Sequence, residues 1–341
     1  MRSFSISVLW VVAVVAVLAS CGEPPVRGTP VVVATQDLGI GADLDVVLAA
    51  STADVPALVD AMWAEKDQSS FAVRAGAIAD GIKLYGPDLV GLQSVIQWRQ
   101  QLPASAAPAG ELVTDYLDLL VAALAARGLA YDPVSVVTTA DIELTGASGN
   151  DYRLIDREVI LAWHGLTTNG GAGGTYAAQR TVSIGGVSIE HRRGWASVSV
   201  SRDGNGFQFV STRLEAVDRD VRRAQALELA RMLPEDAASL LVGNLGSDAE
   251  LSSSPVQGIL LGDGSSFTDV TGSAGAGFPS CCRDVVCVDP AARLDRRADF
   301  VLGSRHFRPS WGSWTGGNGA AMAGGLWPSD HAAIVAGAWL Q

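Results

Sequence analysis

Short apolar runs that end in polar turns recur along this chain, and helix-like stretches separate them. Val31 to Ala34 ends in Thr35-Gln36-Asp37. Asp88-Leu89-Val90-Gly91-Leu92-Gln93 reads as a buried strand, and Leu241-Val242-Gly243 runs into Asn244-Leu245-Gly246-Ser247. Near the C-terminus Trp327-Pro328-Ser329-Asp330-His331 sets a carboxylate beside an imidazole just before a last apolar strand, Ala332 to Ala336. Further strand-like runs fall at Val134 to Thr138, Glu158 to Ala162, Thr181 to Ile184, Ala196 to Val200, Phe207 to Ser211 and Phe300 to Leu302. Helical periodicity marks Val55 to Tyr85, stopped by Pro87, then Val113 to Arg127 and Arg219 to Met232. Helices between clusters of strands predict two packed sheets with helices outside, an α/β sandwich. Polar residues at strand ends are where such folds display reactive groups.

The N-terminus carries an address. Arg2 precedes an apolar run, Val8 to Leu18, too short to span a bilayer, and Leu18-Ala19-Ser20-Cys21 closes it in the manner of a bacterial lipobox. The expectation is a signal peptide over residues 1–20, lipidation of Cys21, a Pro/Gly-rich tether over 21–30 and a single domain over 31–341. This predicts an exported protein anchored by lipid in the bacterial cell envelope, at the outer membrane if the cell is Gram-negative, with the membrane as a partner. The formal charge of −12, with 48% hydrophobic residues, gives ample core but an acidic surface. Such a surface repels phosphate backbones and argues against nucleic acid as the main ligand.

Cysteine usage adds a constraint. Beyond Cys21 the thiols are Cys281, Cys282 and Cys287. Adjacent cysteines close only a strained ring, so Cys287 is expected to bridge Cys281 or Cys282, with Cys282–Cys287 taken as the pair. A zinc site in this cluster is disfavoured, because no histidine or second cysteine pair lies near in sequence. His164, His191 and His306 show no ligand spacing and read as surface or loop residues. Trp311, Trp314 and Trp327, with Gly316 to Gly325 between them, read as a long loop beside the site.

The polar turns, in their order, resemble the endonuclease/exonuclease/phosphatase superfamily, in particular a secreted bacterial branch. The matching pieces are Thr35 to Leu44, Pro87 to Val95, Arg153 to Leu161, Arg193-Gly194-Trp195, Phe209 to Ala216, Leu241 to Ser247, Ser280-Cys281-Cys282, Arg297-Ala298-Asp299 and Trp327 to His331. The resemblance implies a DNase I-like four-layer α/β sandwich with two mixed β-sheets. It also implies metal-assisted hydrolysis of a phosphoric ester, with Mg²⁺ or Mn²⁺ stabilising charge in an in-line displacement.

Carried over position by position, that chemistry is incomplete. The metal-binding Glu falls on Ser94, and the Asn of the first turn on Asp37. One phosphate-binding His falls on Arg213. In the Gly-Asp-x-Asn turn, Asn244 and Gly246 replace the Asp and the Asn. Hard divalent cations want anionic oxygen, arginine cannot shuttle a proton, and an amide is a poor base. Asp299, Asp330 and His331 are retained. The expectation is a catalytically inactive or severely impaired domain with a binding or scaffolding role and no cofactor. The alternative is a Mg²⁺- or Mn²⁺-dependent hydrolase of a small or lipid phosphoester. In that alternative Asp37 becomes the main metal ligand, Asp43 or Asp248 assists, and Arg213 clamps phosphate.

Overall fold

The computed structural model describes residues 28–184, 187–246, 254–262, 264–271 and 280–341. Cys21, its apolar run, Ser247 and Asp248 therefore lie outside the described residues.

In chain order the strands are β1 (Thr29–Asp37), β2 (Leu89–Gln93), β3 (Gln97–Gln101), β4 (Glu111–Asp115), β5 (Tyr131–Thr145), β6 (Asp151–Trp163), β7 (Thr167–Thr175), β8 (Arg180–Ile184), β9 (Val187–His191), β10 (Gly194–Arg202), β11 (Asn205–Arg213), β12 (Ser239–Asn244), β13 (Phe267–Asp269), β14 (Asp299–Ser304), β15 (Phe307–Thr315) and β16 (Ala333–Leu340). The helices are α1 (Leu44–Ala49), α2 (Val55–Ser69), α3 (Phe71–Tyr85), α4 (Tyr116–Ala125), α5 (Arg219–Met232) and α6 (Pro255–Leu260).

One sheet of eight strands runs β15-β16-β1-β2-β6-β3-β4, with β5 also on β6. A second, of six, runs β13-β14-β12-β11-β10-β7, and β8 and β9 form a separate hairpin. Pairing is antiparallel except for β1 with β2 and β11 with β12, so both sheets are mixed.

Side-chain alternation explains the layering. On β12, Leu240 and Val242 face the other sheet while Leu241 faces helices; on β14, Val301 faces inward while Phe300 and Leu302 face outward. Period-two burial on both faces is what a strand between two covered layers requires. Val31, Val33, Leu89, Ile160, Phe209 and Val242 fill the space between the sheets. Helices α1 to α4 cover the outer face of the first sheet, and α5 and α6 cover that of the second. The result is the expected helix–sheet–sheet–helix sandwich.

The sheets approach closely at Gly91 on β2. A Cβ there would stand 2.4 Å from Val242 Cγ2 and 2.9 Å from Ser211 Oγ. A polar ladder runs beside this contact: Thr35 Oγ1 donates to Gln93 Oε1 at 3.0 Å, and Gln93 Nε2 donates to Ser211 Oγ at 2.8 Å. Each of these buried groups thus finds a partner, which limits its desolvation cost.

Several boundaries differ from the sequence expectation. Ser70, at φ 30°, breaks the single helix expected over 55–85 into α2 and α3. The helix expected from Val113 starts at Tyr116. Asp115 caps it, accepting from the amides of Leu117 and Asp118, and the preceding residues pair as β4. The tether ends early, since β1 begins at Thr29. Trp311 and Trp314 lie on β15 rather than in a loop, because its pairing with β16 satisfies their backbone. Trp327 instead covers the Arg283 guanidinium, 3.9 Å away.

A buried arginine ties the loops together. Arg74 of α3 donates to the carbonyls of Ser69 (3.1 Å), Leu38 (2.6 Å), Gly39 (3.4 Å) and Pro328 (3.0 Å). The turn after β1 is thereby fixed to the segment that precedes β16.

Candidate functional site

Strand register brings the polar turns to one end of the sandwich. Asp37 and Gln93 are partners at the ends of the parallel pair β1–β2. Arg213 and Asn244 are partners at the ends of the parallel pair β11–β12, and Asn244 faces Asp299 at the start of β14. Ser94 follows β2 and His331 precedes β16. Two parallel pairs ending on the same side therefore place these groups around one cleft. It is a cavity of about 240 Å³, lined among others by Asp43, His191, Arg193, Arg213, Asn244, Gly246, Cys281, Cys282, Asp330 and His331.

Arg213 holds the middle. Its Nη1 donates to Ser94 Oγ at 2.6 Å, its Nε lies 3.4 Å from Asp37 Oδ2, and Nη1 lies 3.6 Å from Asp156 Oδ2. Burial opposes its charge, but Asp37, Asp156, Asp330 and Glu158 more than offset that and hold the guanidinium charged. Asp37 is fully buried. Burial pushes its carboxyl up; Arg213, His331 and hydrogen bonds from Ser94 and Asn244 outweigh this and hold it well below the ordinary range. Its oxygens are committed: Oδ1 accepts from Gly39 N at 3.0 Å, and Oδ2 from Asn244 Nδ2 at 2.8 Å. Asn244 in turn accepts from Gly246 N at 2.9 Å. The amide at 244 is thus a donor to a carboxylate, a role aspartate could not fill when ionised.

On the opposite wall Asp299 Oδ2 lies 2.8 Å from His331 Nδ1. Burial would push the imidazole towards neutrality, but Asp299, Asp37 and Asp330 raise it to about 10, so His331 is an imidazolium at neutral pH. Its Nε2 points to Cys282 Sγ at 3.9 Å and Asp330 Oδ2 at 4.0 Å. Asp330 and Asp299 are both pushed up, first by burial. Gly39, at φ 66°, is demanded here: a Cβ would fall 2.2 Å from Asp330 Oδ1.

Sequence reasoning passed over part of this wall. Asp156 and Glu158 of β6 are buried, as is Arg193, which lines the cleft. Arg193 lies 3.4 Å from Asp156 Oδ2 and 3.8 Å from Glu215 Oε2. Burial, then Asp156 and Asp37, drive Glu158 well above the ordinary carboxyl range. The signal was Asp156-Arg157-Glu158 directly before the apolar run Val159 to Ala162. His191, expected at the surface, is buried and lines the cleft, and burial together with Arg193 and Arg213 keeps it neutral. It closes β9 of the β8–β9 hairpin, which brings it to the cleft, and spacing alone does not disclose this. His164 is exposed, as expected.

The cysteine expectation is corrected. The disulfide joins Cys281 and Cys282, and Cys287 is a buried free thiol. Cys287 is drawn away from the pair because its amide and carbonyl are engaged with Asp284 and Trp327. A histidine does lie near the pair, since β16 returns His331 to it from 49 residues downstream.

The donor set does not suit a hard divalent cation. Serine stands where an anionic anchor is needed, both Asp37 oxygens are bonded, and a guanidinium occupies the space between Asp37 and Asp156. Among the described residues no trio of carboxylates converges within a metal's reach. The group of His, Cys, Asp and Glu ligand atoms that does converge, within 4.8 Å, is Cys281, Cys282 and His331. Asp43 lines the same cleft, but its Oδ1 caps α1, accepting from Val46 N at 3.0 Å.

The architecture is that of endonuclease/exonuclease/phosphatase proteins, the DNase I-like fold. An endonuclease/exonuclease/phosphatase family protein from Bacteroides thetaiotaomicron superposes with a TM-score of 0.58 at 14% identity, over 93% of this chain and all of that one. A family protein from Beutenbergia cavernae gives 0.52 at 19% identity, over 91% of this chain and 72% of the other. A mannosyl-6-phosphatase of B. thetaiotaomicron gives 0.52 at 14%, over 90% and 98%. No protein-family model matches the sequence, and no curated protein matches it.

Proposed function

We propose that this is a lipid-anchored envelope protein whose domain binds a phosphate-bearing small molecule or lipid headgroup without hydrolysing it. The observation that carries this reading is Arg213, whose fixed positive charge is clamped between Asp37 and Asp156 and hydrogen-bonded to Ser94. A guanidinium supplies charge and planar donors for an anion, but it polarises no water. Arg193, Arg213 and the protonated His331 line the cleft together, three positive charges in one pocket. The cleft therefore has positive charge to offer a phosphate but neither a metal anchor nor a base at position 244. The remaining parts of the reading, lipid attachment at Cys21 and export, rest on the N-terminal sequence.

The test pairs a chromogenic phosphodiester assay in Mn²⁺ or Mg²⁺ with calorimetric titration of glycerol phosphate. No turnover is expected, with saturable binding that weakens at least ~10-fold in Arg213→Ala, as loss of a charge-assisted contact implies. Metal-dependent turnover that disappears in Asp330→Ala would overturn the proposal. The hydrolase reading keeps one support, the intact Asp299–His331 pair beside Asp330.

A further inference from the structure

We infer that Cys281, Cys282 and His331 form a redox-gated site for a soft divalent cation such as Zn²⁺ or Cd²⁺. In the oxidised protein the two sulfurs are joined to each other and have no lone valence for a metal. Two observations say that the reduced pair would face a prepared third ligand. The Sγ atoms and an imidazole nitrogen already lie within 4.8 Å of one another. His331 Nδ1 is engaged with Asp299 at 2.8 Å, which leaves Nε2 directed at Cys282 Sγ, 3.9 Å away. With Zn–S of about 2.3 Å and Zn–N of about 2.0–2.1 Å, tetrahedral ligand atoms stand roughly 3.5–3.8 Å apart. The Cys282–His331 separation needs only a small contraction. A carboxylate behind a ligating imidazole is also the usual outer partner in such sites.

Burial differs usefully across the trio. Cys281 and His331 are buried, Cys282 is half-buried, and all three line the cleft. The cleft gives an ion its entry path and leaves a fourth position for water or an anion. Its donors are sulfur and nitrogen rather than carboxylate. It shares only His331 with the phosphate-binding reading, so loss of Arg213 should leave it intact. Cys287 does not compete, since burial pushes its thiol up to about 12.

The chemistry balances with a phosphine reductant. Phosphorus gives two electrons to the disulfide and takes an oxygen from water, becoming a phosphine oxide, and both sulfurs leave as thiols. On binding, the metal displaces the two thiol protons and the Nε2 proton to solvent.

The experiment uses the full chain in detergent, before and after a water-soluble trialkylphosphine, titrated with Cd²⁺ while the ultraviolet thiolate-to-cadmium band is followed. The reduced protein should saturate at one ion per chain, and the oxidised protein should show no band. Cys287→Ser should keep the band and Cys282→Ser should lose it. Asp299→Asn should weaken binding about 10–100-fold, the usual effect of removing an outer partner. Should Asp299→Asn fail to fold, as read by circular dichroism, His331→Gln carries the same test, with at least ~10-fold weakening expected. A reduced wild type without the band, or a band that survives Cys282→Ser, would sink the proposal.

Discussion

At the scale of single residues, four of the five substituted positions form one interlocked set rather than separate losses. Ser94 accepts from Arg213, Arg213 neutralises Asp37, and Asp37 is held by Asn244. Reversal must therefore be concerted. Ser94→Glu, Arg213→His and Asn244→Asp together should create Mn²⁺ binding detectable by calorimetry, whereas Asn244→Asp alone should only set two carboxylates against each other. Gly246→Asn should be left out of such a set. Gly246 has φ 60°, and a Cβ would lie 2.6 Å from the Glu215 carbonyl, so adding it should lower the urea midpoint. A triple variant that folds yet ignores Mn²⁺ would refute the positional matching. His331 gives a second prediction. Its folded value of about 10 lies above its ordinary 6.5, so its contribution to stability is complete below pH of about 6.5 and fades as pH climbs through 10. The stability gap between wild type and His331→Gln, read from denaturant midpoints, should shrink over that alkaline window. A proton resonance of His331 that titrates near pH 6.5 would contradict the assignment.

At the scale of elements, the strands that build the site were the most legible part of the sequence. Runs such as Leu241-Val242 and Phe300-Val301-Leu302 are apolar on both faces, and both faces prove to be covered. The glycine-rich β7, Thr167–Thr175, was not legible. Its composition reads as a turn, and only pairing with β10 makes it a strand. Nor could periodicity reveal Ser70, where a left-handed residue splits one helix into two. Gly91 sets the spacing of the sheets. Gly91→Ala should therefore cost about 1–3 kcal/mol through overpacking against Val242 and Ser211, measured by urea denaturation. A neutral result would mean that the sheets separate freely at that point.

At the scale of the whole molecule, the sequence conveyed the order of the polar turns but not which neighbours would close the cleft. Asp37, Asp299 and Asp330 lie close enough to act on the charge of His331, but they do not meet at a metal's distance. Arg193, His191, Asp156 and the Cys281–Cys282 pair enter through long-range register, which no local window contains. The N-terminal reading makes its own prediction at this scale. Wild type should partition into the detergent phase on Triton X-114 separation of cells, and Cys21→Ser should move to the aqueous phase. Equal partitioning of the two would remove the lipid anchor from the account.

Strand β16 lies between β1 and β15, and Thr29 is paired with Leu340. The first strand of the larger sheet therefore keeps an open edge until residues 333–340 have been delivered. Closure over so long a sequence separation is slow, and unpaired edges invite aggregation while they wait. On the proposed export route, this architecture would postpone completion of the sheet to the far side of the membrane, and any chaperone that guards it would have to act there.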